Sequence, residues 1–129
     1  MALTIATAST QAMGVALATD IGAGAIIEIR SGAKPATPET AASGTLLVSI
    51  PITGSFTSTG GVLTSADPAA VAPAASGTAG HFRLKKSAGT AILDGTVGTS
   101  GADMILGSTT ITTGVNVDLG VPTFTVPVA

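Results

Sequence analysis

The only histidine of the chain, His81, is the residue from which any acid–base or triad chemistry would have to start. It stands in a short alternating run that predicts a β-strand, and the next acidic residues along the chain are Asp94 and Asp103. The chain has no cysteine, which excludes a thiol nucleophile, a thiolate metal site and a disulfide framework. We therefore predict that His81 faces solvent and that the chain is not an enzyme.

Asp94 and Asp103 are the carboxylates that neighbouring strands of a meander could bring to one shared site. Paired carboxylates perform acid–base chemistry or bind calcium, but calcium sites usually draw about six or more oxygens from densely acidic loops. The two aspartates are isolated in the sequence, so we interpret them as turn and strand-end residues. The sequence thus predicts no catalytic residue, no metal ligand and no bound cofactor.

The basic residues are concentrated in the strand that carries the histidine, where Phe82 and Leu84 alternate with polar side chains. Such a stripe is typical either of a solvated strand face whose charge protects a sheet edge or of a surface that docks on an acidic protein. We expect it to face outward. The candidate partner-contact residues are His81, Arg83, Lys85 and Lys86.

The low charge of the chain bears on its partners. Charged residues make up 9% of it and the formal net charge is -2, which argues against nonspecific nucleic-acid binding, since that requires many Lys and Arg. A surface poor in charge suits packing against other protein. With three Phe and no Trp or Tyr, the core is expected to be thin, so we predict association with further copies of the chain.

The apolar N-terminal stretch predicts neither a membrane anchor nor a leader. No run of about eighteen apolar residues occurs, so we expect no membrane-spanning helix. No Lys or Arg precedes the first apolar segment, which argues against a secretory signal and favours synthesis in the cytoplasm.

One helix is predicted near the start of the chain, over residues 9–21. Ser9 or Thr10 would cap it, and Gly14 inside it indicates that packing rather than intrinsic propensity holds it. Its expected apolar stripe consists of Met13, Ala16, Leu17 and Ile21.

Alternating runs cut by glycine and proline predict seven or eight short strands. The stretch 80–106 reads as three consecutive antiparallel strands, with Gly95 at a bulge or close approach and with Met104 and Leu106 pointing inward. Pro122 marks the last strand, over 123–128, as an edge strand. The remaining predicted strands cover 25–30, 45–52, 109–111 and 115–117, and the run 61–64 is a weaker candidate for one more.

Together these elements predict a mainly β fold, an antiparallel β-sandwich with one short N-terminal helix. The sandwich would form a single domain over residues 1–129, with residues 1–8 as a possible N-terminal arm. Proline-rich, small-residue segments predict extended loops over 31–44 and 65–77.

Five segments follow one another over most of the chain. They are a small helix, then the segment AIIEIRSG, then a KPATPET loop, then GTLLVSI, and finally ASGTAGHFRLKKSAGTAILDGTVGTSGADMILGSTTITTGVNV. This order resembles small virion proteins encoded in the structural gene clusters of tailed bacteriophages. The resemblance is strongest in GTAGHFRLKKSAGTAILDGTVGTSGADM. It implies a role in virion assembly and assigns no catalytic residue.

Three roles are open to such a chain. The resemblance implies, first, a capsid decoration or cement protein that binds the major capsid protein on the virion surface in many copies, made in the host bacterial cytoplasm. A tail or head–tail joining protein is the second. The third, from another class, is a surface adhesion or carbohydrate-binding module, which the absence of Trp and Tyr weakens because sugar sites generally stack sugars on those rings.

Overall fold

A computed structural model describes residues 5–125 as one helix and ten short strands. The helix, α1, spans Thr7–Ile21, and this composition confirms a mainly β fold with a short N-terminal helix. The strands outnumber the predicted seven or eight because several have two or three residues. They are β1 Ile26–Arg30, β2 Leu46–Pro51, β3 Thr57–Thr59, β4 Val62–Thr64, β5 Gly77–Thr78, β6 His81–Lys85, β7 Ala91–Gly98, β8 Met104–Ile105, β9 Thr110–Ile111 and β10 Thr123–Thr125.

The strands form three sheets. The largest has five strands in the order β2-β1-β6-β7-β8, the second has three in the order β10-β4-β3, and β5 pairs with β9 in the third. Antiparallel pairing joins β2, β1, β6 and β7, so the alternating runs predicted as strands supply the centre of the main sheet. Apolar side chains on one face of this sheet, including Ile27, Ile29 and Leu84, are fully buried.

Aromatic rings join the two larger sheets. Phe82 of β6 stacks on Phe124 of β10 with ring centroids 5.4 Å apart, and Phe56 lies 5.7 Å from the same ring. Gly95 of β7 lies beneath the Phe82 ring, where a Cβ atom would overlap the ring carbons. The close approach predicted at Gly95 is therefore confirmed.

Helix α1 packs against the β3–β4 hairpin through small residues. Its buried face consists of Thr10, Gly14, Ala18 and Ile21, and a Cβ at Gly14 would overlap the Ser58 side chain. The prediction that packing holds this helix fits such a contact, but the predicted stripe is wrong in part. Because the helix approaches the hairpin at its glycine, Met13 and Ala16 are turned outward and exposed.

The start of α1 also differs from the prediction. The helix begins at Thr7 after Ala6, and no side chain caps it. Thr10 donates its hydroxyl hydrogen to the Ala6 carbonyl inside the first turn instead of capping a free N–H. Thr7 and Ala8 are helical, whereas residues 1–4 of the predicted arm lie outside the described residues.

Gln11 ties α1 to the hairpin and covers the outer edge of β3. Its Nε2 donates to the Ser58 carbonyl at 2.9 Å, and its Oε1 accepts a hydrogen bond from the Gly60 N–H. The first bond occupies a carbonyl that the edge strand β3 would otherwise leave unpaired, and the second binds the turn of the hairpin.

Replacing Gln11 with leucine is expected to lower the free energy of unfolding by about 1–2 kcal/mol, because two backbone groups lose partly buried partners. Urea-induced unfolding measures the loss. Thr19→Ala is the matched control, since the exposed Thr19 hydroxyl bonds only within its own helix. Equal losses in the two variants would contradict a tethering role for Gln11.

The third strand of the predicted meander runs in an unexpected direction. β8 pairs with β7 in parallel, with Val97 opposite Met104, so the antiparallel prediction for this strand is wrong. The intervening loop folds back on itself because the Asp103 carboxylate accepts hydrogen bonds from the N–H and hydroxyl of Thr96. These bonds bring the chain round before β8 begins.

The two predicted extended loops contain little regular structure. Residues 31–44 contain neither helix nor strand, and they lie over the five-stranded sheet. In the segment 65–77, Val71 forms a bridge with Val117, and the Ala74 N–H donates to the Leu47 carbonyl at 2.7 Å. The segment 65–77 is thus hydrogen-bonded to β2 and to Val117 of the same chain.

β10 is an edge strand of its sheet, as predicted. The rest of the predicted strand, residues 126–128, lies outside the described residues. Over residues 5–125, α1 is too short and not apolar enough to cross a membrane as a helix.

Candidate interaction surface

The five-stranded sheet has a charged row across its centre. Pairing places Glu28 of β1 opposite Arg83 of β6, and Arg83 opposite Asp94 of β7. Opposite charges in adjacent strands attract across a sheet, so the row stabilises this register. The face that carries the row lies opposite the apolar face, because successive side chains of a strand alternate between the two.

Arg83 and Asp94 form a bidentate ion pair that is almost wholly buried. Arg83 Nε and Nη2 donate to the two Asp94 carboxylate oxygens at 2.6 and 2.9 Å, and the side chains are 6% and 2% exposed. Nη2 also donates to the Thr40 carbonyl of the covering loop at 2.7 Å. The Asp94 hydrogen bonds raise the pKa of Arg83 above its ordinary value despite the opposing effect of burial, so this guanidinium stays charged.

The other basic residues are also bonded within the chain. Glu28 accepts from Lys85 Nζ at 3.2 Å and from Arg30 Nε at 3.3 Å. Lys86 donates to Asp20 at 2.8 Å, and Lys34 donates to a neighbouring backbone carbonyl. All five cationic side chains of the chain therefore have an internal acceptor.

The prediction that His81 and Arg83 face solvent is wrong. His81 is 0% exposed, and its Nδ1 lies 3.2 Å from the Gly32 carbonyl oxygen in the loop 31–44. The alternation in β6 correctly separates apolar from polar side chains, but the loop covers the polar face as well. Lys85 and Lys86 remain partly exposed, and their contact with a partner stays a prediction.

Asp94 and Asp103 line the same cleft but do not act as a pair. Both border a cavity of about 450 Å³ between β7 and β10. Their carboxylates bind different partners, Arg83 for the first and Thr96 for the second. No three His, Asp or Glu side chains within 5–125 are grouped as a metal site would require.

Three large aliphatic residues that the sequence did not single out are exposed in the C-terminal third of the chain. Ile105 is 52% exposed, Val115 63% and Val121 52%, and we call them the C-terminal apolar surface. Met104 and Leu106 point inward as predicted. The same alternation turns Ile105 outward, so the signal for this residue was an apolar side chain on the predicted solvent face of a strand.

Shallow clefts adjoin this surface. Ile105 and Val121 line a cavity of about 210 Å³ together with Leu119 and Phe124. Val115 borders a second cavity of about 310 Å³ beside Leu106. Each of these exposed aliphatic side chains thus borders a concave site, which favours contact with another protein.

Comparisons of this chain with protein family models, with curated proteins and with solved structures find no match. Inference about function therefore rests on its own residues and geometry. Its cations are bonded internally, its described carboxylates and histidine form no convergent site, and three exposed aliphatic side chains of its C-terminal third border clefts.

Proposed function

We propose that this chain is a non-enzymatic structural protein of a tailed-bacteriophage virion, specifically a capsid decoration protein that binds and stabilises the shell. The observation that carries the proposal is the contrast between internally bonded cations and an exposed C-terminal apolar surface. The resemblance of the GHFRLKKSAGTAILDGTVGTSGADM segment to small virion proteins supports a capsid protein as the partner of this surface.

The proposed mechanism is burial of the C-terminal apolar surface against the major capsid protein. Each square ångström of apolar area removed from water contributes about 25 cal/mol, so three aliphatic side chains give a modest affinity per copy. Neighbouring copies that contact one another on the shell would add avidity without any further contact to the capsid protein. A small, weakly charged β-protein suits such repeated attachment.

Replacing Ile105 and Val121 with glutamate is expected to weaken binding to purified capsids by about tenfold or more, because each charge would have to be desolvated in an apolar contact. Cosedimentation with capsids assembled without the protein measures the binding. Ala41→Glu, an exposed change in the loop 31–44, is the matched control and should bind like the wild type. Unchanged binding of the double variant would exclude this surface as the contact.

Cryo-microscopy of the complete particle tests the role itself. Density for the chain at capsomer positions on the shell is the expected result. Density at the tail or the head–tail joint would overturn the decoration role in favour of a joining role. Absence of the chain from purified particles, with binding to a cell-surface glycan instead, would overturn virion assembly and favour an adhesion module.

A further inference from the structure

The edge strands of the two larger sheets differ in the hydrogen bonds that they receive from the rest of the described chain. Gln11 of α1 bonds to the hairpin beside β3, and the Leu47 carbonyl of β2 accepts hydrogen bonds from the N–H groups of Ala74 and Ala75. β8 has only two residues. For β10, no backbone hydrogen bond on the side away from β4 arises from any residue between 5 and 125.

Within residues 5–125, β10 is a short edge strand of three residues that follows Pro122, but it carries neither a charged side chain nor a bulge. Charged side chains, bulges, short length and proline are common protections of an edge strand. Thr123 and Thr125 are uncharged and exposed, and Phe124 between them is half-buried. An edge of this kind accepts another extended strand by backbone hydrogen bonding.

The sequence of β10 is palindromic, because Thr-Phe-Thr reads the same in both directions. An antiparallel pair about a two-fold axis through Phe124 would place Phe124 opposite Phe124 and Thr123 opposite Thr125. Aromatic pairs and threonine pairs directly across an antiparallel ladder are stabilising, and no like charges would meet. This self-complementarity favours a second copy of the chain as the strand that pairs with β10.

We propose that two copies of this protein associate through β10, joining their three-stranded sheets into one six-stranded sheet about a two-fold axis. The contact is isologous, so it closes as a dimer. The cluster of aromatic rings in each copy would then lie across the two-fold axis from the same cluster in the other copy. These rings are Phe56, Phe82 and Phe124. The pairing does not depend on the virion role, because it concerns the isolated protein.

The test uses the register of the pair. In Thr123→Lys/Thr125→Lys, each lysine faces a lysine of the other copy, so the dimer dissociation constant should rise about tenfold or more. In Thr123→Lys/Thr125→Glu, each lysine faces a glutamate, so the dissociation constant at low salt should return close to that of the wild type. Sedimentation equilibrium measures the constants, and circular dichroism checks that each variant is folded.

Thr57→Lys/Thr59→Lys is the matched control, because it places the same charges on the opposite edge strand of the same sheet. It should dimerise like the wild type. A wild-type protein that remains monomeric at all measurable concentrations would overturn the proposal. So would equal weakening by the lysine–lysine and lysine–glutamate variants, since only the two-fold register distinguishes them.

Discussion

Replacing Arg83 with alanine is expected to lower the free energy of unfolding by about 3–5 kcal/mol, the range found when one partner of a buried ion pair is removed. The Asp94 side chain is 2% exposed, so without its guanidinium partner it would remain buried and uncompensated. The Thr40 carbonyl would lose its hydrogen bond from Arg83 as well. Urea-induced unfolding of the purified protein measures the change.

The partly exposed pair of Lys86 and Asp20 provides the control. Lys86→Ala should cost less than about 1 kcal/mol, because exposed ion pairs contribute little. A loss at Arg83 as small as that at Lys86 would show that the buried pair does not stabilise the fold. Amide hydrogen exchange in the loop 31–44 should also quicken in the Arg83 variant, since Arg83 anchors that loop at Thr40.

The pH dependence of this effect follows from the direction of the Arg83 pKa shift. Because the folded pKa is raised, the contribution is fully present below the pKa of arginine in the unfolded chain and is lost only as the pH rises through the folded value. Arginine is protonated throughout the ordinary pH range. The Arg83 guanidinium therefore adds no pH dependence to stability near neutrality.

Replacing Phe82 with alanine is expected to cost about 3–5 kcal/mol, the usual loss for a fully buried aromatic side chain. Phe82 is 1% exposed and stacks on Phe124, so its removal leaves a cavity at the junction of the two larger sheets. Total stabilities of small domains are about 5–15 kcal/mol, so this one ring accounts for a large share. Thermal and urea unfolding measure the loss.

A second change at Gly95 makes this prediction specific. Gly95→Ala alone should destabilise by about 1–3 kcal/mol, because its Cβ would overlap the Phe82 ring. In the Phe82→Ala background the same methyl group would enter the cavity, so the double variant should lose less than the sum of the two single losses. Val115→Ala, at an exposed position, should change stability by at most about 0.5 kcal/mol. Strict additivity of the two core changes would contradict the contact.

The strands of the main sheet were predictable because their side chains alternate. β1, β2, β6 and β7 each match a run in which apolar and polar residues take turns, and local periodicity suffices to place them. The burial of the polar face was not predictable in this way. It depends on Arg83 reaching Thr40, 43 residues earlier, and on Lys85 reaching Glu28, 57 residues earlier.

Two further differences have local causes that periodicity does not encode. The helix turned a different face inward because Gly14 allows a closer approach to the hairpin than Met13 would. The parallel strand β8 follows a loop that Asp103 closes by bonding to Thr96 through both its carboxylate and its backbone N–H. The exposure of Ile105 and Val121 was not predicted because Met104, Ile105 and Leu106 are all apolar and Val121 lies outside the predicted strands.

The internal bonding of all five cations has a consequence for the kinetics of assembly. Long-range electrostatic steering accelerates association when complementary charges face outward, and salt screens it over about 8–10 Å. Four of the five cations are paired with internal carboxylates and the formal net charge is -2, so the surface has little positive field to offer a distant partner. Association with an acidic partner would therefore proceed at the slower, unsteered rate and would change little with ionic strength.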